Sequence, residues 1–202
     1  MRVIGLTGGI ASGKTAVSDL LAGLGAALID TDLLAREVVI PGAPAYLDIV
    51  AAWPEVVGPG GALDRARLGA LVFGDEAARL RLNGFTHPRI RQLMAERLGA
   101  LRQAVPQPAA AVLVVPLLFE NGLEQGLDES WLVAVKPVVQ RQRLIERDGL
   151  TGEEADRRIA SQLPLEEKLK RATRVLWNEG DRPALAATVE EAWRAAGLAW
   201  RV

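Results

Sequence analysis

Residues 2–25 read RVIGLTGGIASGKTAVSDLLAGLG, and this stretch decides the fold. Residues 2–7 form an apolar run that predicts a short buried strand, and residues 8–13 are rich enough in glycine to predict a turn. From Lys14 onward Val17, Leu20, Leu21 and Leu24 fall at helical spacing, and Gly25 predicts the stop. Gly8, Gly13, Lys14 and Thr15 fit the pattern G-x-x-x-x-G-K-[ST], in the strand-turn-helix context that gives the pattern meaning. Glycines let the backbone curl so that its N–H groups converge on an anion, and the following helix adds the positive end of its dipole. Gly9, Ile10, Ala11, Ser12, Gly13, Lys14, Thr15 and Ala16 are therefore candidates for holding a nucleotide. Lys14 can reach the terminal phosphates, and the Thr15 hydroxyl can ligate the accompanying Mg²⁺.

Further along, residues 27–30 (ALID) predict a second strand. Asp32 is a candidate cap for a helix running through Leu33, Leu34 and Val38 until Pro41-Gly42. Residues 44–104 place their apolar side chains mostly at helical spacing, punctuated by Pro54, Pro59-Gly60-Gly61 and His87-Pro88. Strands return at 111–116, 131–136 and 173–177, with helices expected at 138–147, 152–162 and 184–196. Alternating strands and helices with near-continuous apolar strands predict an α/β fold: a parallel five-stranded sheet flanked by helices. We expect one domain, 1–202, with a nucleotide-binding core of 1–36 and 105–202 and an inserted helical region of 37–104. An insertion there lies at the carboxyl ends of the strands, where open α/β sheets bind ligands.

Composition narrows the class. Half of the 202 residues are hydrophobic and 24% are charged, enough core and too little excess charge for disorder. Lys+Arg 24 against Asp+Glu 25 leaves a formal charge of -1, so no nucleic-acid partner is expected. The absence of cysteine excludes disulfides and fits a reducing, cytoplasmic setting. The apolar run 109–119 is broken by Pro116 and too short to span a bilayer, so no membrane partner is expected. Arginine is the default base: lysine stands only at Lys14, Lys136, Lys168 and Lys170, so a lysine says more than an arginine.

A nucleotide loop alone does not separate a kinase from a switch. A GTPase needs Asn-Lys-x-Asp, and the nearest string, Asn178-Glu179-Gly180-Asp181, has Glu for Lys. A small-molecule kinase needs a group to orient its acceptor hydroxyl and cations for the transferring phosphoryl. Asp32 could align that hydroxyl or accept its proton, or could simply cap its helix. Another P-loop nucleoside or nucleotide kinase, and a nucleotide-sensing regulatory ATPase, stay open on these residues.

The chain resembles the dephospho-CoA kinase family in order along nearly its whole length. The matching residues are Leu6 to Thr15, Ile29-Asp30-Thr31-Asp32 with Ala35-Arg36, Pro41-Gly42, Leu63-Asp64-Arg65, Val72-Phe73 and His87-Pro88-Arg89-Ile90. They continue through Val115-Pro116-Leu117-Leu118-Phe119-Glu120, then Gln140, Arg143 and Arg147-Asp148, then Arg158-Ile159 to Gln162, and end at Asn178 and Gly180. The resemblance implies transfer of the γ-phosphoryl of ATP to the ribose 3′-hydroxyl of dephospho-CoA, with Mg²⁺, in the last step of coenzyme A synthesis.

By the same resemblance Lys14, Asp32 and Arg143 carry the catalysis. Asp32, Arg36, Arg65, His87 and Pro88 bind the acceptor, and Pro116, Leu117 and Leu118 shape its cleft. Arg143 and Arg147 lie one turn apart on a polar helix, which spacing alone reads as a solvated face. The resemblance makes residues 137–165 a lid whose Arg143 closes onto the phosphates while Arg147 braces it. Asn178 and Gly180 fall in the loop against adenine. Glu120 lies near the metal or faces solvent. Three positions depart from the family pattern: Ala16, Arg174 where an aspartate is usual, and Glu179 where asparagine is frequent. The last two bear on adenine recognition. Trp193 is expected to be structural and Trp200 to pack the C-terminus.

Overall fold

A computed structural model describes residues 1–199 of the chain. Trp200 lies outside the described residues. Five strands, β1 (Arg2–Gly8), β2 (Ala27–Asp30), β3 (Ala110–Val114), β4 (Glu129–Ala134) and β5 (Arg174–Trp177), form one sheet in the order β2-β3-β1-β4-β5. The sheet is parallel, with β1 central: Leu6 pairs with Val114 on one side and with Trp131 on the other.

Alternation within these strands sorts their side chains onto two faces. Ile4, Leu6, Val112, Val114, Trp131, Val133 and Leu176 share one face and are all buried. The helices α1 (Lys14–Gly23) and α9 (Arg182–Ala195) close over it with Val17, Leu21, Leu185, Val189 and Trp193. Trp193 has no exposed surface, in agreement with a structural role.

The chain leaves β1 toward β2 on one side, whereas β3, the neighbour of β1, sends it across to β4. The carboxyl ends of β1 and β3 therefore flank a topological switch point, where ligands of open α/β sheets bind. The glycine turn after β1 sits there.

The chain divides into two compact units, residues 1–29 with 101–202 and residues 30–100. The division falls before the helix α2 (Thr31–Glu37), earlier than residue 37, because α2 packs with the helical unit. That unit adds α3 (Pro44–Ala52), two 3₁₀ turns, α4 (Arg65–Phe73) and α5 (Glu76–Gln103). Its nearest approach to a strand is a single antiparallel bridge between Val57 and Leu63.

Three local expectations need correction. Asp30, not Asp32, caps α2: its Oδ1 accepts from the Asp32 N–H at 2.8 Å, and Asp32 lies within the first turn. His87-Pro88 does not interrupt the helical region, because α5 runs through Pro88 for 28 residues. Proline removes one N–H from the helix ladder there; close by, the Arg89 guanidinium donates to Phe85 O at 2.6 Å and pairs with Asp48 of α3 at 2.7 Å. Between the helices α6 (Pro137–Asp148) and α7 (Gly152–Ala160) and β5, a further short helix, α8 (Leu165–Arg171), was not foreseen. Among the described residues no helix is long and apolar enough to cross a membrane.

Candidate active site

The phosphate loop. The turn between β1 and α1 closes on itself, with Ser12 N–H donating to Gly9 O at 3.1 Å. Ala11 takes a left-handed φ of 58° and Gly13 one of 94°, so the backbone alternates in hand and its amides can converge as a nest. Gly13 is required twice over: by that φ, and because a Cβ there would stand 2.2 Å from Asn178 Nδ2. It is also the N-cap of α1, with no capping side chain and no acidic residue in the first turn. The first N–H groups of α1 are thus left to an external anion, and the residues present fit a nucleotide's phosphates. Lys14 arches back over the loop, its Nζ 2.8 Å from Gly8 O. Thr15 and Ala16 are exposed at the helix start.

Side chains from distant elements hold this loop by its backbone. Asn178, just past β5, is buried; its Nδ2 donates to Ser12 O at 2.8 Å and its N–H to Ala134 O at 2.9 Å. Arg143 of α6 donates to Asn178 O at 3.0 Å. Gln140 donates to Ile10 O at 2.9 Å, and Gln162 accepts from Ile10 N–H at 2.8 Å. Sequence reasoning gave Gln140 and Gln162 no role, and the one available signal is their place in the family pattern.

The helical arm behind Arg143 is internally braced. Asp148 accepts from Arg147 at 2.7 Å and from Arg158 at 2.9 Å, while Arg141 pairs with Asp156 at 2.7 Å. Thr151 and Glu154 form a capping box at the start of α7. The hydrogen bond from Arg147 is the largest cause holding the Asp148 carboxyl below the usual aspartate range.

Departures from the family pattern find partners here. Glu179 accepts from Lys136 N–H at 3.0 Å and pairs with its Nζ at 2.9 Å, fastening the loop of Asn178 and Gly180 to the start of α6. The Lys136 hydrogen bond holds the Glu179 carboxyl low. Arg174 opens β5, at the opposite end of the strand from Asn178. It meets Glu129, which Arg2 and the Trp131 indole N–H also reach.

After β3, Pro116 O accepts from the Thr7 hydroxyl at 3.2 Å, tying this segment to the last residues of β1. Leu117 is exposed, whereas Leu118 has no exposed surface and would meet a Cβ placed on Gly5 at 3.0 Å. Glu120 does not face solvent: it pairs with Lys168 of α8 at 2.7 Å and accepts from Leu163 N–H at 3.1 Å. Lys168 is almost wholly buried, with 2% of its side chain exposed. Burial alone pushes the Glu120 carboxyl up, but the Lys168 hydrogen bond outweighs it together with charge and backbone donors, so the group is held low.

The helical unit. A cavity of about 460 Å³ lies within residues 30–100, bordered by Arg36, Arg65 and His87 and by apolar side chains including Ile40, Leu63 and Ile90. Leu63 is placed by its bridge to Val57. Asp64 caps α4, accepting from Ala66 and Arg67 N–H at 3.0 Å each, and so sets Arg65 at the helix start. Neither Arg36 nor Arg65 has a carboxylate partner among the described residues, unlike Arg67, Arg89 and Arg97 of the same unit. Two uncompensated guanidiniums on a partly apolar cavity suit an anionic ligand with an apolar body. Asp32, exposed in the first turn of α2, and Pro88 do not border this cavity.

A parallel sheet with a glycine loop at its switch point, and a phosphate nest ending in Lys14-Thr15, define a P-loop kinase fold. The model for the family described as dephospho-CoA kinase matches residues 2–183. Dephospho-CoA kinase of Moorella thermoacetica is 50% identical over 195 residues, 96% of this chain and 92% of that one. The Geobacter sulfurreducens enzyme of that name is 48% identical, over 96% and 98% of the two chains. Among solved structures, dephospho-CoA kinase from Campylobacter jejuni superposes with a TM-score of 0.73 at 26% identity, over 97% of this chain and 98% of that one. A shikimate kinase from Bacteroides thetaiotaomicron, 16% identical with a TM-score of 0.52 over 98% and 99% of the chains, shares the fold alone. The chain belongs to the dephospho-CoA kinase family.

Proposed function

We propose that the chain transfers the γ-phosphoryl group of ATP to the ribose 3′-hydroxyl of dephospho-CoA, giving CoA and ADP. The observation that carries the reading is the pairing of two features in one chain: a loop built for phosphates, and a cavity bearing the unpaired Arg36 and Arg65. The first suits ATP, and the second suits an acceptor with a diphosphate and an apolar arm.

In this reading the amides of residues 9–16 hold the ATP phosphates, with Lys14 moving from its own loop's carbonyls to the β- and γ-phosphates. The exposed Thr15 hydroxyl is the protein group that would hold Mg²⁺, which when bound would supply charge neutralisation for the transferring group. Among the described residues no cluster of three or more acidic or histidine side chains could hold a metal, which fits an ion bound mainly by phosphate and water. Arg143, on the lid of residues 137–165, exchanges Asn178 O for the phosphoryl oxygens and stabilises the transition state. Asn178 and Gly180 border the adenine. Arg36 and Arg65 hold the acceptor diphosphate, His87 and Pro88 its flank, and the segment Pro116-Leu117 the cleft beside it.

Asp32 orients the 3′-hydroxyl and takes its proton. Release from capping supports this role, because Asp30 does that work and leaves the Asp32 carboxylate exposed. Asp32→Asn should lower kcat by about a hundredfold or more while leaving the Kd for ATP within about threefold. Normal turnover in that variant would remove Asp32 from the reaction.

A further inference from the structure

Both peptide groups flanking Ile10 are held from outside the phosphate loop. Gln162, beyond the end of α7, accepts from the Ile10 N–H at 2.8 Å, and Gln140, in the first turns of α6, donates to Ile10 O at 2.9 Å. In a trans peptide the C=O and the next N–H point in opposite directions. Fixing Ile10 O on Gln140 therefore aims the Ala11 N–H the other way. The conformation so fixed includes Ala11 at a φ of 58°, where a side chain with a Cβ is disfavoured.

Gly9 makes room for this arrangement. A Cβ on Gly9 would stand 2.5 Å from Gln140 Nε2, so an alanine there would push the glutamine's amide off Ile10 O. Each glutamine amide is already engaged with main chain, so neither needs to touch a ligand to influence its binding.

We propose that Gln140 and Gln162 are positioning residues for the phosphoryl donor: acting through the backbone of Ile10, they set the amide donors that grip the polyphosphate. The inference rests on the reading of this loop as the ATP site. It places the gripping geometry under the control of the two ends of the α6–α7 arm that also carries Arg143.

The test is calorimetric titration of the full chain with ATP and with inorganic tripolyphosphate, both with Mg²⁺. Gln140→Met and Gln162→Met keep side-chain length and remove the hydrogen-bonding group. Both variants should lose about tenfold in affinity, the weight of a hydrogen bond to a charged group, and by the same factor for the two ligands. Gly9→Ala should reproduce the Gln140→Met loss in the native background and add less than about twofold to it in the double variant. Native-like tripolyphosphate binding in both methionine variants would overturn the proposal, as would a loss confined to ATP, which would put the glutamines against the nucleoside. If the methionine variants fail to fold by circular dichroism, Gly9→Ala decides, since its added methyl would crowd the far end of Gln140 while meeting Gln162 Oε1 only at an ordinary contact of 3.7 Å. A native chain that binds neither ligand would instead overturn the ATP reading itself, and the positioning claim with it.

Discussion

Asn178 Nδ2 lies 2.8 Å from Ser12 O, joining residues 166 positions apart across the top of the sheet. The side chain is buried, and the main-chain carbonyl of Asn178 accepts from Arg143. One asparagine thus connects the phosphate loop, the end of β5 and the helix that carries Arg143. Asn178→Ala should weaken ATP binding by about tenfold, from one lost hydrogen bond and a loosened loop. Calorimetric titration with ATP checks it; an unchanged Kd would mean that the loop holds its shape without Asn178.

Arg143 and lysine are not interchangeable in the proposed role. Once it has left Asn178 O, a guanidinium can meet two phosphoryl oxygens with its planar fork of nitrogens, which an ammonium cannot do in the same plane. Arg143→Lys should lower kcat by at least about tenfold with little change in the KM for ATP. Steady-state kinetics decides between this and a solvated-face role, for which both constants would stay at their native values.

In the helical unit, Arg36→Ala and Arg65→Ala should raise the KM for dephospho-CoA by about tenfold each and leave the KM for ATP within twofold. A rise in the ATP constant instead would assign these arginines to the wrong substrate.

The Glu120–Lys168 pair predicts a pH dependence. Its carboxyl is held below the ordinary glutamate value in the folded chain, so the folded state is favoured where the carboxyl is ionised. That contribution is fully present above the unfolded pKa and is lost as pH falls through the folded one. Lys168→Met leaves Glu120 half-buried without its cation and should cost about 3 kcal/mol near neutral pH. It should also flatten the acid limb of the stability curve, because burial without the cation pushes the Glu120 carboxyl up and acid no longer disfavours the folded state through it. Urea melts across pH 3 to 7 test this: the gap between the two chains should narrow toward acid pH, and a gap that stays constant with pH would show that the pair is not coupled to folding.

What the sequence made legible was local. Residues 2–25 carry the strand, turn and helix within one stretch, and residues 27–30 form the second strand as read. The sequence put the cap of α2 on Asp32, and only the hydrogen bond from the Asp32 N–H assigns it to Asp30 instead. The long helix through Pro88 was not legible because proline is a local signal of interruption, whereas α5 continues through it. The α8 helix has seven residues, too few to show a period. Its Lys168 was one of four lysines in an arginine-rich chain, but nothing in the sequence tied it to Glu120, which it meets in a buried pair. The loop's outer supports were out of reach, because Gln140, Gln162 and Asn178 meet it across 130, 152 and 166 residues.

The most direct measurement is the product. The chain, ATP and Mg²⁺ are incubated with dephospho-CoA and, separately, with nucleosides, and the acceptors are analysed by mass spectrometry with fragmentation of the ribose. One added phosphoryl group is expected on dephospho-CoA, located at the 3′-oxygen, with one ADP formed per acceptor. ADP without a phosphorylated acceptor, or transfer to nucleosides alone, would contradict it.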